Sequence, residues 1–270
     1  MADGAYVVST VKYLMPDDEP PVMMMREPGP GETRKRFQWD RREVSIHDIR
    51  GREKDFTLDG DGFAVIDIDF DAPPLQDGQT VLTSYYEIVC SLLNAELGAS
   101  KVIAFDHNFR SADAQYDTVA DRPANFIHND YTARSAPQRV RLLLDDAEAE
   151  QRLKKRYAFI NFWRPINHPA EDLPLAICRA RSMGADDFVT CAMLWPDREG
   201  ETFMFHHAPE HEWFYLSRME PNRALLLKCF DSADDGRARY APHTAFTDPS
   251  ARPGAKPRES VEVRTVAFFD

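Results

Sequence analysis

Short apolar segments recur through the second half of the chain, and this pattern constrains the fold more than any other feature. Each segment has the length of a β-strand and is bounded by polar or turn-forming residues. The segments occupy 157–163, 173–180, 187–195, 201–208, 212–217, 224–230 and 259–269. Short strands at regular spacing are typical of β-sandwiches and barrels. The sequence therefore predicts a mainly β fold.

Two other segments have helical periodicity instead of alternation. In 80–97, six large side chains recur at the spacing of one helical face, and Gly98 follows as a stop signal. Those six are Leu82, Tyr85, Tyr86, Val89, Leu92 and Leu93. A second helix is predicted to begin at Ser135 and to continue to about Lys155. Both helices are expected to flank the strands, which makes the class α+β with a dominant β part.

The length of the chain allows one domain. It has 270 residues, of which 43% are hydrophobic, so a single domain over 1–270 can bury a full core. Prolines are frequent near the N-terminus and favour extended backbone, so we expect residues 1–40 to form an extended segment that packs on the core. Met23, Met24 and Met25 are expected to be packing residues, with a place at the substrate opening as the alternative.

Charge and cysteine usage exclude some classes of partner. The formal net charge is −12, and no run of five or more Lys or Arg occurs, which argues against nucleic acid and anionic membranes as partners. The four cysteines lie in apolar stretches without a close-spaced pair, as expected for reduced thiols. With no secretory leader and no long apolar stretch, a cytoplasmic protein is expected. A homodimer is possible.

The triplet His128-Asn129-Asp130 is a candidate for two ligands of a metal ion. Side chains two residues apart on a strand point to the same face, so the imidazole and the carboxylate can converge. With a second His from elsewhere in the chain, they would form the facial triad that holds non-haem Fe(II). Alone the motif is weakly specific, because a hydrogen-bonded His beside a solvated Asp is the ordinary alternative.

A later His, Arg and Ser complete the pattern of an oxygenase that uses 2-oxoglutarate. His243 would supply the distal imidazole, Arg258 follows it by 15 residues, and Ser260 lies two residues further. The planar guanidinium can bind the far carboxylate of the cosubstrate bidentately, and the hydroxyl adds a donor. His211 is the alternative distal ligand, because Arg223 follows it by 12 residues. We favour His243 because the Arg-x-Ser motif accompanies it.

Several segments of the chain resemble a family of fungal and bacterial oxygenase-like proteins that includes gibberellin desaturase, aspergillic acid hydroxylase and a cephalosporin methoxylation protein. The resemblance covers most of the chain. It rests on 106–111 (DHNFRS), 123–136 (PANFIHNDYTARSA), 160–182 (INFWRPINHPAEDLPLAICRARS), 209–219 (PEHEWFYLSRM), 224–232 (ALLLKCFDS), 242–249 (PHTAFTDP) and 257–264 (PRESVEVR).

Membership in this family implies a double-stranded β-helix, the jelly-roll or cupin-like core. It also implies a mononuclear Fe(II), with 2-oxoglutarate and O2 as cosubstrates. The expected activity is hydroxylation, desaturation or ring formation on a small natural product of secondary metabolism. The family's Asn-x-Trp-Arg-Pro pattern places Asn161 near the iron or the cosubstrate.

Strand parity adds two further candidates for the cosubstrate site. Thr132 follows Asp130 by two residues and would point inward with it as a hydrogen-bond donor. Arg264 follows Arg258 by six residues, so it has the same parity and could be the main anchor or a second one.

An aromatic pocket is expected beside the metal, lined by Phe126, Tyr131, Trp163, Trp213 and Phe246. Such a pocket would accept a compact, largely uncharged natural-product scaffold in preference to a peptide, nucleobase or sugar. Two other functions are considered: a non-catalytic partner subunit or binding protein on the same fold, and a group transferase. The chain has no Gly-rich loop after a first strand that would bind a nucleotide, which argues against the transferase.

Overall fold

The computed structural model describes residues 5–29, 33–72, 81–113, 115 and 120–270. Strands dominate this part of the chain. They are β1 (Tyr6–Leu14), β2 (Val22–Met24), β3 (Trp39–Asp48), β4 (Phe63–Asp67), β5 (Lys101–Ser111), β6 (His128–Asn129), β7 (Tyr157–Pro165), β8 (Leu175–Cys178), β9 (Phe188–Leu194), β10 (Glu199–Phe205), β11 (Trp213–Tyr215), β12 (Arg223–Asp231), β13 (His243–Ala245) and β14 (Glu259–Phe268).

These strands form two sheets. The larger has the order β1-β3-β11-β8-β13-β6-β10-β9-β2, and the smaller has the order β4-β12-β7-β14-β5. Neighbours in the smaller sheet are all antiparallel. In the larger sheet, β11 runs parallel to β3 and β2 runs parallel to β9. The predicted mainly β class with a double-stranded β-helix core is confirmed.

The central strand β7 shows how the sequence fixes the smaller sheet. All nine of its residues are buried, as expected for a strand that is covered on both faces. Phe159 and Trp163 pack towards residues of the larger sheet, such as Ile177. The alternate residues Ile160 and Phe162 pack on the opposite side. Asn161 has the parity of Phe159 and Trp163, so it lies between the two sheets.

Four α-helices flank the sheets in the described residues: α1 (Leu58–Asp61), α2 (Tyr86–Leu97), α3 (Ser135–Leu143) and α4 (Asp146–Arg152). Helix α2 and the π-helical turn before it (Val81–Tyr85) cover the outer face of the smaller sheet. Gly98 ends α2 in a left-handed conformation, as predicted. Leu82 is exposed instead of packed, because the π-helical turn shifts the phase of the helical face. None of the described helices is both long and apolar enough to cross a bilayer.

The predicted long helix after the His128 motif is two helices in the structure. Helix α3 ends at Leu143, and Leu144 has extended backbone. Asp145 then begins α4 by accepting a hydrogen bond from the backbone N–H of Glu148. The Asp145 carboxylate binds a backbone N–H that would otherwise donate within a continuous helix. This local hydrogen bond therefore starts a new helix and divides the segment in two.

The N-terminal segment is part of the larger sheet. β1 pairs along its whole length with β3, and β2 pairs with β9. The backbone N–H of Ile127 donates to the carbonyl oxygen of Lys12 at 3.0 Å, which joins β1 to the residue before His128. The expected extended segment therefore forms one wall of the space between the sheets.

Burial of the smaller sheet generates a stability prediction. Leu226→Ala removes a fully buried side chain of β12 and leaves a cavity, so the free energy of unfolding should fall by about 2–5 kcal/mol. Leu142→Ala is the matched control, because that side chain is 70% exposed and should cost no more than about 0.5 kcal/mol. Chemical denaturation measures both. Equal losses in the two variants would contradict the assignment of the core.

Candidate metal centre and cosubstrate site

Two histidines from distant parts of the chain lie directly opposite each other on neighbouring strands. His243 of β13 is the antiparallel partner of His128 of β6. Directly opposed residues point to the same face of a sheet, and the two ring centroids are 4.5 Å apart. Asp130 follows the end of β6, and one donor atom from each of these three residues lies within 4.8 Å of the others.

Backbone carbonyls fix the orientation of both imidazoles. Nδ1 of His128 lies 3.0 Å from the carbonyl oxygen of Phe126, and Nδ1 of His243 lies 2.8 Å from that of Ala241. Because a carbonyl only accepts, each Nδ1 carries the hydrogen and each Nε2 keeps a lone pair. Burial and the neighbouring His243 lower the pKa of His128 to about 3, so its ring is neutral. Both rings are thus prepared as metal ligands.

The carboxylate of Asp130 is held by two partners on the smaller sheet. Asn161 donates to its Oδ2 at 2.7 Å, and Nε of Arg264 lies 3.3 Å from the same oxygen. Burial alone would raise the pKa of Asp130, but Arg264 and the two imidazoles hold it well below its usual range. Oδ2 is therefore occupied by protein donors, while Oδ1 lies 3.8 Å from Nε2 of His128.

Asn129 supports the site from the opposite face. Its Nδ2 donates to the carbonyl oxygens of Tyr131 and Cys229, both at 2.8 Å, and its Oδ1 accepts from the N–H of Ala241 at 3.2 Å. Ala241 is the residue whose carbonyl orients His243. One buried amide therefore joins the segments of all three donor residues. This role was not predicted from the sequence, because its only sign was that Asn129 is the middle residue of the triplet.

The inner face of β14 carries the predicted cosubstrate residues. Ser260 and Arg264 share one face of β14, Arg258 directly precedes the strand with the same parity, and Arg264 pairs directly with Asn161 of β7. Nε of Arg258, Oγ of Ser260, Oδ1 of Asn161 and Nε of Arg264 are buried without a hydrogen-bond partner among the described residues. Buried polar atoms are normally satisfied, so four unsatisfied atoms on one face indicate a place for a polar ligand.

Arg258 is a buried cation that lacks a carboxylate partner. Its side chain donates from Nη1 to the carbonyl oxygen of Leu173 at 2.8 Å and lies over the ring of Trp163. It is 1% exposed, and no ion pair joins it to any described residue. Burial and the charge of Arg110 lower its pKa to about 9. An uncompensated buried charge is costly, which favours an anionic ligand here.

Arg264 has the opposite balance. It pairs with Asp106 at 2.9 Å, with Asp130 at 3.3 Å and with Glu262 at 3.4 Å. Three carboxylates surround one guanidinium, so its charge is compensated by the protein itself.

Comparison with known proteins agrees with this arrangement. The oxidoreductase/YMDC permease-like domain matches residues 11–268. The hydroxylase/desaturase efuI of Hormonema carpetanum is 32% identical over 259 residues, which cover 87% of this chain and 86% of efuI. The Fe(II)/2-oxoglutarate-dependent dioxygenase nvfI of Aspergillus novofumigatus is 29% identical over 249 residues, covering 89% and 88% of the two chains. A solved structure of the iron and alpha-ketoglutarate-dependent endoperoxidase NvfI superimposes with a TM-score of 0.88 at 27% identity, covering 98% of both chains.

The chain belongs to this family of Fe(II)/2-oxoglutarate-dependent dioxygenases. The resemblance inferred from the sequence is thereby confirmed. The conclusion rests on matches along nearly the whole chain and is independent of the geometry at His128.

A cavity of about 720 Å³ opens onto two of the three donor residues, His128 and Asp130. His128, Asp130 and Arg264 line it, and so do the predicted pocket residues Phe126 and Tyr131. Met23, Met25 and Trp39 of the N-terminal segment form another part of its wall. Met23 also packs in a buried cluster with Leu14 and Cys191, as expected for a packing residue, while Met25 is largely exposed at the cavity wall.

Three predicted pocket aromatics lie elsewhere, because each is held by its own packing. Trp213 donates from Nε1 to the hydroxyl of Tyr13 at 2.9 Å in the core of the larger sheet. Phe246 packs edge-on against Tyr215 and lines a separate pocket. Trp163 lies beneath the Arg258 guanidinium. Strand parity permitted all three to face the cavity, but it cannot distinguish a cavity wall from the adjoining core.

The cavity beside the proposed metal site is more highly charged than the aromatic pocket expected from the sequence. The described residues that line the cavity include many charged side chains: Lys12, Lys35, Arg110, Arg122, Arg139, Arg198 and Arg264, with Asp106, Asp121, Asp130, Glu199 and Glu201. The expectation was based only on the aromatic residues near the motif. It did not include the charged side chains of β1, β5 and β10, which also line the cavity.

Thr132 has a structural role in place of the predicted cosubstrate contact. Its Oγ1 accepts from the N–H groups of Arg134 and Ser135 at the start of α3 and donates to Glu201 at 2.8 Å. These contacts occupy the hydroxyl group of Thr132, as is common for a threonine at a helix N-terminus.

His211 lies away from the three donor residues and has both ring nitrogens engaged. Nδ1 lies 2.9 Å from the hydroxyl of Tyr13, and Nε2 lies 3.0 Å from Oδ2 of Asp187. The side chain is 1% exposed. This buried network joins β1 to the strand that contains Trp213, so His211 has a structural role in the larger sheet.

The hydrogen bond from Asn161 to Asp130 generates a prediction about metal affinity. Asn161→Ala removes one of the groups that orient the carboxylate, so the Kd for Fe(II) should rise by about 10–100-fold. Anaerobic titration with Fe(II) measures this change. Asn222→Ala, in an exposed turn, is the control and should leave the Kd unchanged. If both variants bind Fe(II) like the parent protein, Asn161 does not position the ligand.

Proposed function

We propose that this dioxygenase oxidises a small natural-product intermediate of secondary metabolism, with Fe(II) held by His128, Asp130 and His243. The cosubstrates are 2-oxoglutarate and O2. Arg258 and Ser260 bind the far carboxylate of 2-oxoglutarate, and Asn161 and Arg264 position Asp130.

The chemistry of the donor set supports Fe(II). Two imidazoles and one carboxylate on the same side of a sheet are the ligands of non-haem Fe(II) oxygenases, which leave coordination positions open for other ligands. The Nε2 lone pairs are free because Nδ1 of each ring donates to a carbonyl. The pKa of Asp130 is well below its usual range, so the carboxylate is ionised without loss of a proton on metal binding.

The single observation that carries the cosubstrate assignment is the buried guanidinium of Arg258, which forms no ion pair with a described residue, beside the unsatisfied hydroxyl of Ser260. A dicarboxylate supplies a negative charge and accepts from both groups. Arg264 is less suited to this task, because three carboxylates already surround it. Charge compensation therefore favours Arg258 over Arg264 as the anchor.

When bound, Fe(II) with 2-oxoglutarate and O2 supplies the oxidising power that the protein's own side chains lack. The protein contributes position and exclusion of water. Arg258 positions the cosubstrate and Asn161 positions Asp130 from the side of the smaller sheet. His128 and His243 hold the metal from the side of the larger sheet, so the reacting centre lies between two rigid layers. The placement of the substrate in the cavity decides between hydroxylation, desaturation and ring formation.

The relatives support a small-molecule substrate and an oxidative reaction. Their names include hydroxylase/desaturase for efuI and endoperoxidase for NvfI. A non-catalytic partner subunit is less favoured, because the chain retains a complete set of three donors. A group transferase is less favoured because the sequence has no Gly-rich loop after a first strand that would bind a nucleotide.

Iron stoichiometry and O2-dependent succinate formation test the proposal together. We expect one Fe(II) per chain and slow succinate formation from 2-oxoglutarate that requires both iron and O2. Iron binding without succinate formation, even with candidate substrates present, would favour the partner-subunit function.

Alanine substitution of the donor residues gives a sharper expectation. His128→Ala, Asp130→Ala and His243→Ala should each abolish iron-dependent succinate formation, because each removes one of three protein ligands. Circular dichroism should show that the fold remains. His211→Ala is the control and should retain iron and turnover, although it loses a buried hydrogen-bond network. Loss of iron in His211→Ala with retention in His243→Ala would reverse the distal assignment.

The two arginines should separate in their effects. Arg258→Met removes the charge but keeps most of the volume, so the Kd for 2-oxoglutarate should rise by about 30-fold or more, corresponding to at least about 2 kcal/mol. Arg264→Met should mainly weaken Fe(II) binding, because it frees the carboxylate of Asp130. Titration of Fe(II) and of 2-oxoglutarate measures both variants. A larger effect of Arg264→Met on 2-oxoglutarate would make Arg264 the anchor.

A further inference from the structure

A second cavity adjoins the one at the metal centre. Its volume is about 490 Å³, and it shares Lys12, Arg122, Pro123 and Asn125 with the larger cavity. We call it the side pocket. It is lined by Thr10, Lys12, Arg41, Ala112, Arg122, Pro123, Asn125, Leu173, Ala245, Phe246 and Thr247.

The side pocket is connected to the metal-binding segments through the backbone. Ala245 lies two residues after His243 on β13. The carbonyl oxygen of Lys12 accepts from Ile127, the residue before His128. A group bound in the side pocket therefore has a fixed position relative to the iron ligands.

Lys12 and Arg41 form an unfavourable pair in the protein alone. They are directly opposite in the antiparallel pairing of β1 with β3, so their side chains lie on the same face. Like charges in this arrangement repel. No ion pair joins either residue to a carboxylate in the described part of the chain. Burial, together with the charges of Arg41 and Lys35, lowers the pKa of Lys12.

The charge of the side pocket differs from that of the protein as a whole. The chain has a formal net charge of −12, yet the described residues that line the side pocket include three cations and no Asp or Glu. A local cluster of one sign attracts ligands of the other sign. Since the cations of β1 and β3 repel each other, a bound anion would remove an unfavourable interaction as well as add a favourable one.

We propose that the side pocket binds an anionic group of the substrate, a carboxylate or a phosphate, while the part to be oxidised lies in the cavity at the metal. The inference rests on the proposed function and narrows its substrate class to acids. Lys12 and Arg41 belong to the larger sheet, whereas Arg258 and Ser260 belong to the smaller one. The substrate anion and the far carboxylate of 2-oxoglutarate are thus assigned to different layers of the fold.

Sulfate is the probe that tests this site without knowledge of the substrate. The protein is kept anaerobic with saturating Fe(II) and 2-oxoglutarate, and sulfate is titrated by calorimetry at an ionic strength held constant with chloride. We expect saturable binding to one site. Lys12→Met and Arg41→Met should each raise the Kd for sulfate at least tenfold. Lys54→Met, at an exposed position elsewhere, is the matched control and should leave the Kd unchanged.

Two results would overturn the inference. If sulfate shows no saturable binding, or binds equally well to Lys12→Met, the side pocket is not an anion site. If sulfate instead raises the apparent Kd for 2-oxoglutarate, the cations serve the cosubstrate and not the substrate. Succinate formation by the same parent protein separates these results from a failure of the proposed function, because it requires Fe(II), 2-oxoglutarate and O2 but no sulfate.

Discussion

The direct pairing of His128 with His243 on neighbouring antiparallel strands is the interaction on which the site depends. It brings together residues that are more than a hundred positions apart and turns both rings to the same face, so the backbone register itself sets the geometry of the proposed metal ligands. Asn129 secures that register from the opposite face through Cys229 and Ala241. Stability and the proposed function are coupled here, because the hydrogen bonds that complete the larger sheet also bring the three donor residues together.

Charge compensation distinguishes the arginines of the inner faces. Arg264 is surrounded by Asp106, Asp130 and Glu262, and it holds the carboxylate of the proposed iron ligand Asp130. Arg258 is more deeply buried and forms no ion pair with a described residue, so a bound anion would stabilise its charge. At the side pocket, Lys12 and the exposed Arg41 face each other across two strands, so two like charges lie side by side. In the described part of the chain, cations without an ion pair thus occur at two separate positions near the proposed metal site.

Sequence patterns predicted the strand-rich class and the three donor residues, because both depend on local spacing and residue chemistry. The order of the strands could not be obtained from periodicity, and the positions of Trp213 and Phe246 depend on that order. Strand parity predicts on which face of its strand each of these side chains lies, but not whether that face borders the cavity or the core. The division of the second helix followed from one carboxylate, Asp145, at a place where the apolar pattern continues. The charges of the cavity were missed because they come from many distant segments, of which those of Lys12 and Arg110 are examples.

The most direct test of the account is a crystal structure of the protein prepared anaerobically with Fe(II) and 2-oxoglutarate. The account predicts iron bonded to Nε2 of His128, Nε2 of His243 and a carboxylate oxygen of Asp130, with the far carboxylate of 2-oxoglutarate paired with Arg258 and Ser260. Iron bound to other residues, or a cosubstrate carboxylate paired with Arg264 or Lys12 while Arg258 stays without an anion, would contradict it.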